Sequence, residues 1–288
     1  MAEAFRVMHR YGAIARAMGA EPFEALATAA VRDAANGPDF VAALGARLPD
    51  VPIRVLSGVQ EAEFSAEGLL CGMPDAHGIL ADIGGGSLEL VRLADGRRAE
   101  SQTLRLGVIR LSDRSGGDLD RARDIAEADL SGVPWASAAG CDLFLVGGAW
   151  RAFARIHMNQ KAWPLRMIHG YAIDGDEARD LAGMIASAGK RALERMPGVS
   201  RRRVDDLPMA AVVLRRLLRA GRFRRAVFSA SGLREGWYMR GMPSGLREED
   251  PLLAAARDMA ATHGRAPDLE ALVDGDLRAE TDFRSVYA

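Results

Sequence analysis

Residues 82–90 read Asp-Ile-Gly-Gly-Gly-Ser-Leu-Glu-Leu, between the apolar runs Gly78-Ile79-Leu80-Ala81 and Leu90-Val91-Arg92-Leu93. That order predicts strand, glycine turn, strand. Three consecutive glycines leave the backbone free to adopt positive φ and to aim successive N–H groups at one point, a geometry that binds phosphate oxygens. Asp82 and Glu89 flank the turn, placed by their strands to hold a divalent cation against such a phosphate. The alternative at this point is a glycine-rich hairpin with solvated carboxylates, because a glycine pattern alone is a weak signal.

The rest of the chain favours the first alternative by repetition. Asp142 to Val146 is a buried strand that runs into Gly147-Gly148 and then a helix from Trp150 to Met158. Arg225 to Ser229 is another strand, meeting Ser231-Gly232 and a helix through Arg240. Ligands of α/β sheets bind at the carboxyl ends of strands, where helix N-termini add partial positive charge. Three such ends in one sheet would gather three anion-friendly turns.

Upstream, the periodicity predicts a helix from Phe5 to Met18, a short strand within Phe23 to Ala29, and a helix from Asp33 to Leu48 broken at Asn36-Gly37-Pro38. A strand from Val51 to Leu56 and a helix from Gln60 to Leu70 follow, the helix capped by Ser57 or a neighbour. An extended segment is expected at Ser101 to Leu106 and helices at Leu119 to Leu130, Asp174 to Glu194 and Leu207 to Ala220. The C-terminal stretch from Gly245 changes character, with an Ala-rich helix at Pro251 to Ala261 and an acidic, weakly amphipathic stretch at Asp268 to Asp282.

Composition excludes several classes. At 288 residues, 49% hydrophobic and 27% charged, the chain suits a globular protein of two domains. No apolar run is long enough to cross a bilayer and no signal peptide opens the chain, so the expected compartment is the cytoplasm. Cys71 and Cys141 are too isolated for a disulfide framework or a cysteine zinc site. A net charge of −1 sets up no basic field for nucleic acid. Arginines 201–203, 215, 216, 219, 222, 224 and 225 would make a cationic row suited to a polyanion, or a solvated face enriched by compositional bias; the second reading is favoured.

With these residues in view, the chain from about Ala4 to Met239 resembles the exopolyphosphatase/guanosine pentaphosphate phosphatase (Ppx/GppA) family. The resemblance is carried by Ala27 to Ala34, Leu56-Ser57-Gly58-Val59-Gln60-Glu61-Ala62, Asp82 to Leu90, Leu106-Gly107-Val108-Ile109-Arg110-Leu111 and Ser231-Gly232-Leu233-Arg234-Glu235-Gly236, in that order. It implies an α/β fold of the actin-like ATPase superfamily, with two ribonuclease H-like domains of which the first is incomplete. The expected division is 1–65, 66–244 and a helical extension at 245–288.

The activity it implies is metal-assisted hydrolysis of a phosphoanhydride, releasing terminal orthophosphate from inorganic polyphosphate; conversion of guanosine pentaphosphate to tetraphosphate is the close alternative, and a non-catalytic remnant that only binds polyphosphate is a third. Glu61 matches the catalytic base and Arg32 a cleft arginine. Asp82 and Glu89 match acids that organise Mg²⁺, and Gly84, Gly85, Gly86 and Ser87, with Gly147 and Gly148, match phosphate-binding turns. A homodimer is left open; nucleic-acid and membrane partners are not expected.

The sequence also departs from the family pattern. The family opens with an Asp-x-Gly-Ser-Asn-Ser turn and leading strands, and this chain is expected to lack them, leaving a sheet edge uncovered and prone to aggregation. Ala149 stands where the third turn usually has threonine, and Gln60 where an acid usually precedes the base.

Overall fold

The computed structural model describes residues 1–20, 23–137 and 140–263; the stretch expected at Asp268 to Asp282 lies outside them. Residues 1–57 fold as helices α1 (Ala2–Ala17), α2 (Ala29–Arg32) and α3 (Gly37–Arg47) around strands β1 (Ala25–Ala27) and β2 (Ile53–Val55), which pair in parallel. Pro38 lies in the first turn of α3, where a missing N–H leaves no hydrogen bond unmade. The core here is small. Leu44, Leu48 and Val51 are buried, with Phe5, Met8, Phe23, Phe40 and Ile53 packed half-buried against them.

From Gly58 the chain builds a larger layered body. Its elements in order are α4 (Gly58–Gly72), β3 (Gly78–Ile83), β4 (Leu88–Ala94), β5 (Arg97–Leu104), α5 (Val108–Ser115), α6 (Leu119–Ser131), β6 (Asp142–Val146), α7 (Gly148–Gln160), β7 (Tyr171–Asp174), α8 (Gly175–Ser187), α9 (Lys190–Arg195), α10 (Leu207–Gly221), β8 (Arg225–Phe228) and α11 (Leu233–Arg240). Helices α12 (Ser244–Glu248) and α13 (Pro251–His263) close the described chain. The six strands lie in the order β5-β4-β3-β6-β8-β7, with β3, β6 and β8 parallel and the others antiparallel to their neighbours.

Strand alternation sorts the core onto two faces. Ile79, Ala81, Leu143, Leu145, Ala226 and Phe228 face the larger cluster with α5, α6, α7, α8 and α10. Leu80, Val91, Leu93, Phe144, Val146 and Val227 face Ala62, Ala66 and Leu69 of α4. Helix α4 runs without a break across position 65 and packs on α11.

Three features differ from the sequence reading. The single helix expected from Asp174 to Glu194 is two, because Ala188 and Gly189 are extended (ψ 130° and 154°) and divide α8 from α9. Helix α5 was not anticipated: its sequence is short and polar, and it is specified by docking against the glycine turn. Strand β7 was missed because it is a four-residue edge strand, antiparallel to β8, with too few residues to show a period. Among the described residues no helix is long and apolar enough to cross a membrane.

Candidate active site

The alternation that buries Leu80, Val91 and Leu93 beneath α4 also aims Asp82 and Glu89 at that helix. The two acids are direct partners across the antiparallel pair, so their side chains share a face. Where α4 meets them it presents Glu61 and Ser65 instead of alanine or leucine. Glu61 and Glu89 are 5% and 3% exposed, so carboxylates converge where water has little access.

Their electrostatics follow from that. Burial pushes the Glu61 carboxyl up, and although Arg32 pulls it down, Asp82 and Asp33 add to the rise. Burial also raises Asp82, opposed by the Ser65 hydroxyl and Arg151. Glu89 lies well above the usual carboxylate range, through burial first and then the charges of Asp82 and Glu61. Glu89 Oε1 is buried without a hydrogen-bond partner among the described residues. A set of acids that repel one another, one with an orphaned oxygen, is what a cation would relieve.

The glycine turn stands beside these acids, and its conformation corrects one expectation. Gly84, Gly85 and Gly86 do not adopt positive φ. Space demands glycine at two positions: a Cβ on Gly86 would lie 2.8 Å from the Ala29 Cβ, and one on Gly107 would lie 2.3–2.5 Å from backbone atoms of residues 85–87. The first-turn amides of α5 bind the turn's carbonyls, Val108 N to Gly84 O (3.0 Å) and Ile109 N to Gly85 O (2.9 Å). In a trans peptide the C=O and the following N–H point in opposite directions. Pinning those two carbonyls on α5 therefore turns the Gly85 and Gly86 N–H groups away from it. Among the described residues the N–H groups of Gly85, Gly86 and Ser87 have no protein acceptor.

The other turns converge on the same end of β3. Gly147 has φ 117°, open to glycine without strain, and a Cβ there would lie 2.4 Å from Ile83 O. A Cβ on Gly232 would lie 3.8 Å from Asp82 Oδ2. Arg32 comes from the first unit, donating to Glu61 Oε1 and to Leu56 O (2.8 Å). Asp33 pairs with Arg32 (3.1 Å) and with Arg110 of α5 (2.7 Å), tying α2 to the helix that holds the turn. The structure thus brings together every residue singled out from sequence: Glu61, Arg32, Asp82, Glu89, Gly84 to Ser87, and Gly147 with Gly148.

Comparison with known proteins decides the relationship. A model of the Ppx/GppA phosphatase family matches residues 1–244. The chain belongs to that family. It is 28% identical over 260 residues to retrograde regulation protein 2 of Saccharomyces cerevisiae, covering 82% of this chain and 44% of the yeast protein. It is 37% identical over 101 residues to exopolyphosphatase 2 of Mycobacterium tuberculosis, covering 33% of this chain and 31% of that one. The chain therefore spans less than half the length of these curated relatives. Among solved structures it superposes on an exopolyphosphatase from Cytophaga hutchinsonii with a TM-score of 0.72 at 19% identity, covering 82% of this chain and 80% of that one. The Aquifex aeolicus PPX-GPPA enzyme gives 0.67 at 20% identity, covering 82% and 81%. These likenesses establish the α/β fold.

Within this Ppx/GppA framework the departures acquire physical meaning. Gln60 caps the helix: its Oε1 accepts from Ser57 N (2.9 Å) while Ser57 Oγ accepts from Gln60 N (3.2 Å), a reciprocal pair at the start of α4. An amide serves that role as well as an acid. The arginine row does not form a track to the turn. Arg224 and Arg225 pair with Asp142 at the opposite end of β6, and Arg216 pairs with Glu127. Arg203 is the exception, its guanidinium lying over Gly148.

Sequence reasoning missed Ser65, Arg110 and Arg151. Arg110 lies inside a segment already singled out; Ser65 stands four residues after Glu61, a spacing that puts both on one helix face. Arg151, on the first turn of α7, donates to Ala230 O (2.8 Å) and is near enough to Asp82 and Glu235 to feel both charges. Among the described residues no group of three or more His, Cys, Asp or Glu side chains forms a ready-made metal cage. Two hard oxygen donors, Asp82 and Glu89, fit a cation that takes one or two carboxylates and completes its shell with water and phosphate oxygens.

Proposed function

We propose that this chain hydrolyses phosphoanhydrides, removing terminal orthophosphate from inorganic polyphosphate. The observation that carries the reading is the meeting of unpaired Gly85, Gly86 and Ser87 amides with the buried acids Glu61 and Glu89 and the half-buried Asp82 at the carboxyl end of β3. Family membership and the exopolyphosphatases among its relatives support it.

In this reading the amides of Gly85 to Ser87 grip the oxygens of the terminal phosphoryl group. Arg32 keeps Glu61 in place through Nη1 and offers the same group its charge and its remaining Nη2. Glu61 accepts a proton from the attacking water through the oxygen not engaged by Arg32. Its burial lifts its affinity for that proton toward the working pH. Asp82 and Glu89 would hold Mg²⁺, which when bound would supply neutralisation of charge on the phosphate oxygens.

A second reading, guanosine pentaphosphate as substrate, is favoured by a cavity of about 340 Å³ beside Arg32. Among the described residues its lining has one cation, with Ser57, Gly58, Val59, Ser101, Gln102 and Thr103 otherwise neutral. An uncharged sugar suits such walls better than a run of phosphates does. Measuring phosphate release by the purified chain with Mg²⁺ separates the readings. Faster release from polyphosphate is expected; preference for the nucleotide would reverse the substrate choice. Release from neither would overturn the hydrolase reading.

A further inference from the structure

Ser65 is the buried polar residue of α4 that the mechanism above leaves without a part. It is fully buried, one helical turn beyond Glu61, beside Ala62, Ala66 and Leu69, which form the helix's apolar contact with the sheet. A serine inside a helix commonly donates back to the carbonyl four residues earlier. This one instead donates across to strand β3, to Asp82 Oδ2. Alanine would suit the helix better and leave no hydroxyl to satisfy, so the hydroxyl has a purpose only in relation to the carboxylate. Among the described residues it is also the one hydrogen-bond donor to the Asp82 side chain; Arg151 and Glu235 act on it through charge alone. The opposing acid, Glu89, has no such partner on its Oε1.

We propose that Ser65 is a positioning residue for the cation site: by occupying Asp82 Oδ2 it locks the carboxylate's rotamer and reserves Oδ1 for the ion. This rests on the reading that Asp82 and Glu89 hold a divalent cation. Outer hydrogen bonds of this kind orient the ligating group before the ion arrives, so losing one weakens the ion's hold without removing a ligand. The serine also explains why the two acids of the pair are unequal. Asp82 is held by a hydroxyl of α4, whereas Glu89 is held by the Ser87 side chain of the turn and keeps Oε1 without a partner among the described residues.

The test compares wild type, Ser65→Ala and Ser65→Thr, all as the full chain, by calorimetric titration with Mg²⁺ and by the Mg²⁺ dependence of phosphate release. Ser65→Ala is expected to bind Mg²⁺ about tenfold more weakly, and to need correspondingly more Mg²⁺ for half-maximal release. Its kcat at saturating Mg²⁺ is expected to match wild type. Ser65→Thr, which keeps the hydroxyl, is expected to restore affinity. Wild-type affinity in Ser65→Ala would overturn the proposal, as would a loss of kcat at saturating Mg²⁺ with binding unchanged. The two readings fail separately: wild type that binds Mg²⁺ but releases no phosphate defeats the hydrolase reading while the binding comparison still judges Ser65. Wild type that binds no Mg²⁺ defeats both.

Discussion

Residues 1–57 and the body that begins at Gly58 meet at the site but are held together very differently. The first unit buries Leu44, Leu48 and Val51 around a two-stranded sheet; the second packs helices on both faces of a six-stranded sheet. Nearly all of the proposed chemistry lies on the second: Glu61, Asp82, Glu89 and the amides of the glycine turn. The first contributes Arg32, with Asp33 and Ala29 fitted against α5 and Gly86. Its exposed apolar side chains, among them Tyr11, Ile14 and Met18, show how little its own core covers. The contrast teaches that positions which hold charges close together sit on the well-packed body, while the proposed clamp is carried by the part with the smaller core, where local opening is expected to cost less.

The sharpest way to break that comparison is to remove core from each side. Leu69→Ala, beneath the sheet on α4, is expected to lower global stability by about 2–5 kcal/mol, read by chemical denaturation. Leu44→Ala is expected to leave the main transition in place and raise amide exchange only within residues 1–57. Equal effects on the main transition would mean that the two units unfold as one.

Gly107→Ala comes next. A Cβ there meets the backbone of residues 85–87, which cannot yield as a flexible side chain would, and overpacking of this kind destabilises by about 1–3 kcal/mol. Phosphate release is expected to fall further than stability does, since the turn that would grip the substrate is displaced. Arg32→Lys keeps the charge but loses the guanidinium whose Nη1 serves Glu61 and Leu56 O while its Nε serves Asp33. A KM for polyphosphate raised about tenfold with kcat less affected is expected, the signature of a lost clamp.

The smallest expected effect concerns the crowded acids. Because the Glu89 carboxyl lies well above its ordinary range in the folded state, the native chain holds a proton that the unfolded chain has released. Stability therefore falls as pH rises from the ordinary carboxylate value of about 4.3 through the raised one. Glu89→Gln removes that loss. Its melting temperature is expected to match wild type near pH 4 and to exceed it at neutral pH without divalent cation. Added Mg²⁺ should narrow the difference.

Much of this was legible in the sequence because it depends on short-range pattern. The hairpin around 84–87, the strands before Gly147 and Ser229, and the cap at Ser57 all announce themselves in a few residues. Glu61, Asp82 and Glu89 were found as residues but not as neighbours in burial, since only strand register and the face of α4 make them one cluster. Ser65 and Arg151 escaped because a buried serine or an arginine in a helix looks ordinary until its cross-element partner is known. The reason for the glycines was also hidden: positive φ is a local property, whereas the approach of Gly107 and Ala29 to the turn is set by tertiary packing.

The most direct measurement is Mg²⁺-dependent phosphate release by wild type and Glu61→Gln under matched conditions, with polyphosphate binding to each followed by calorimetry. Loss of a positioned base is expected to slow release about 10²–10⁴-fold while binding stays near that of wild type. Release by Glu61→Gln at the wild-type rate would contradict the account.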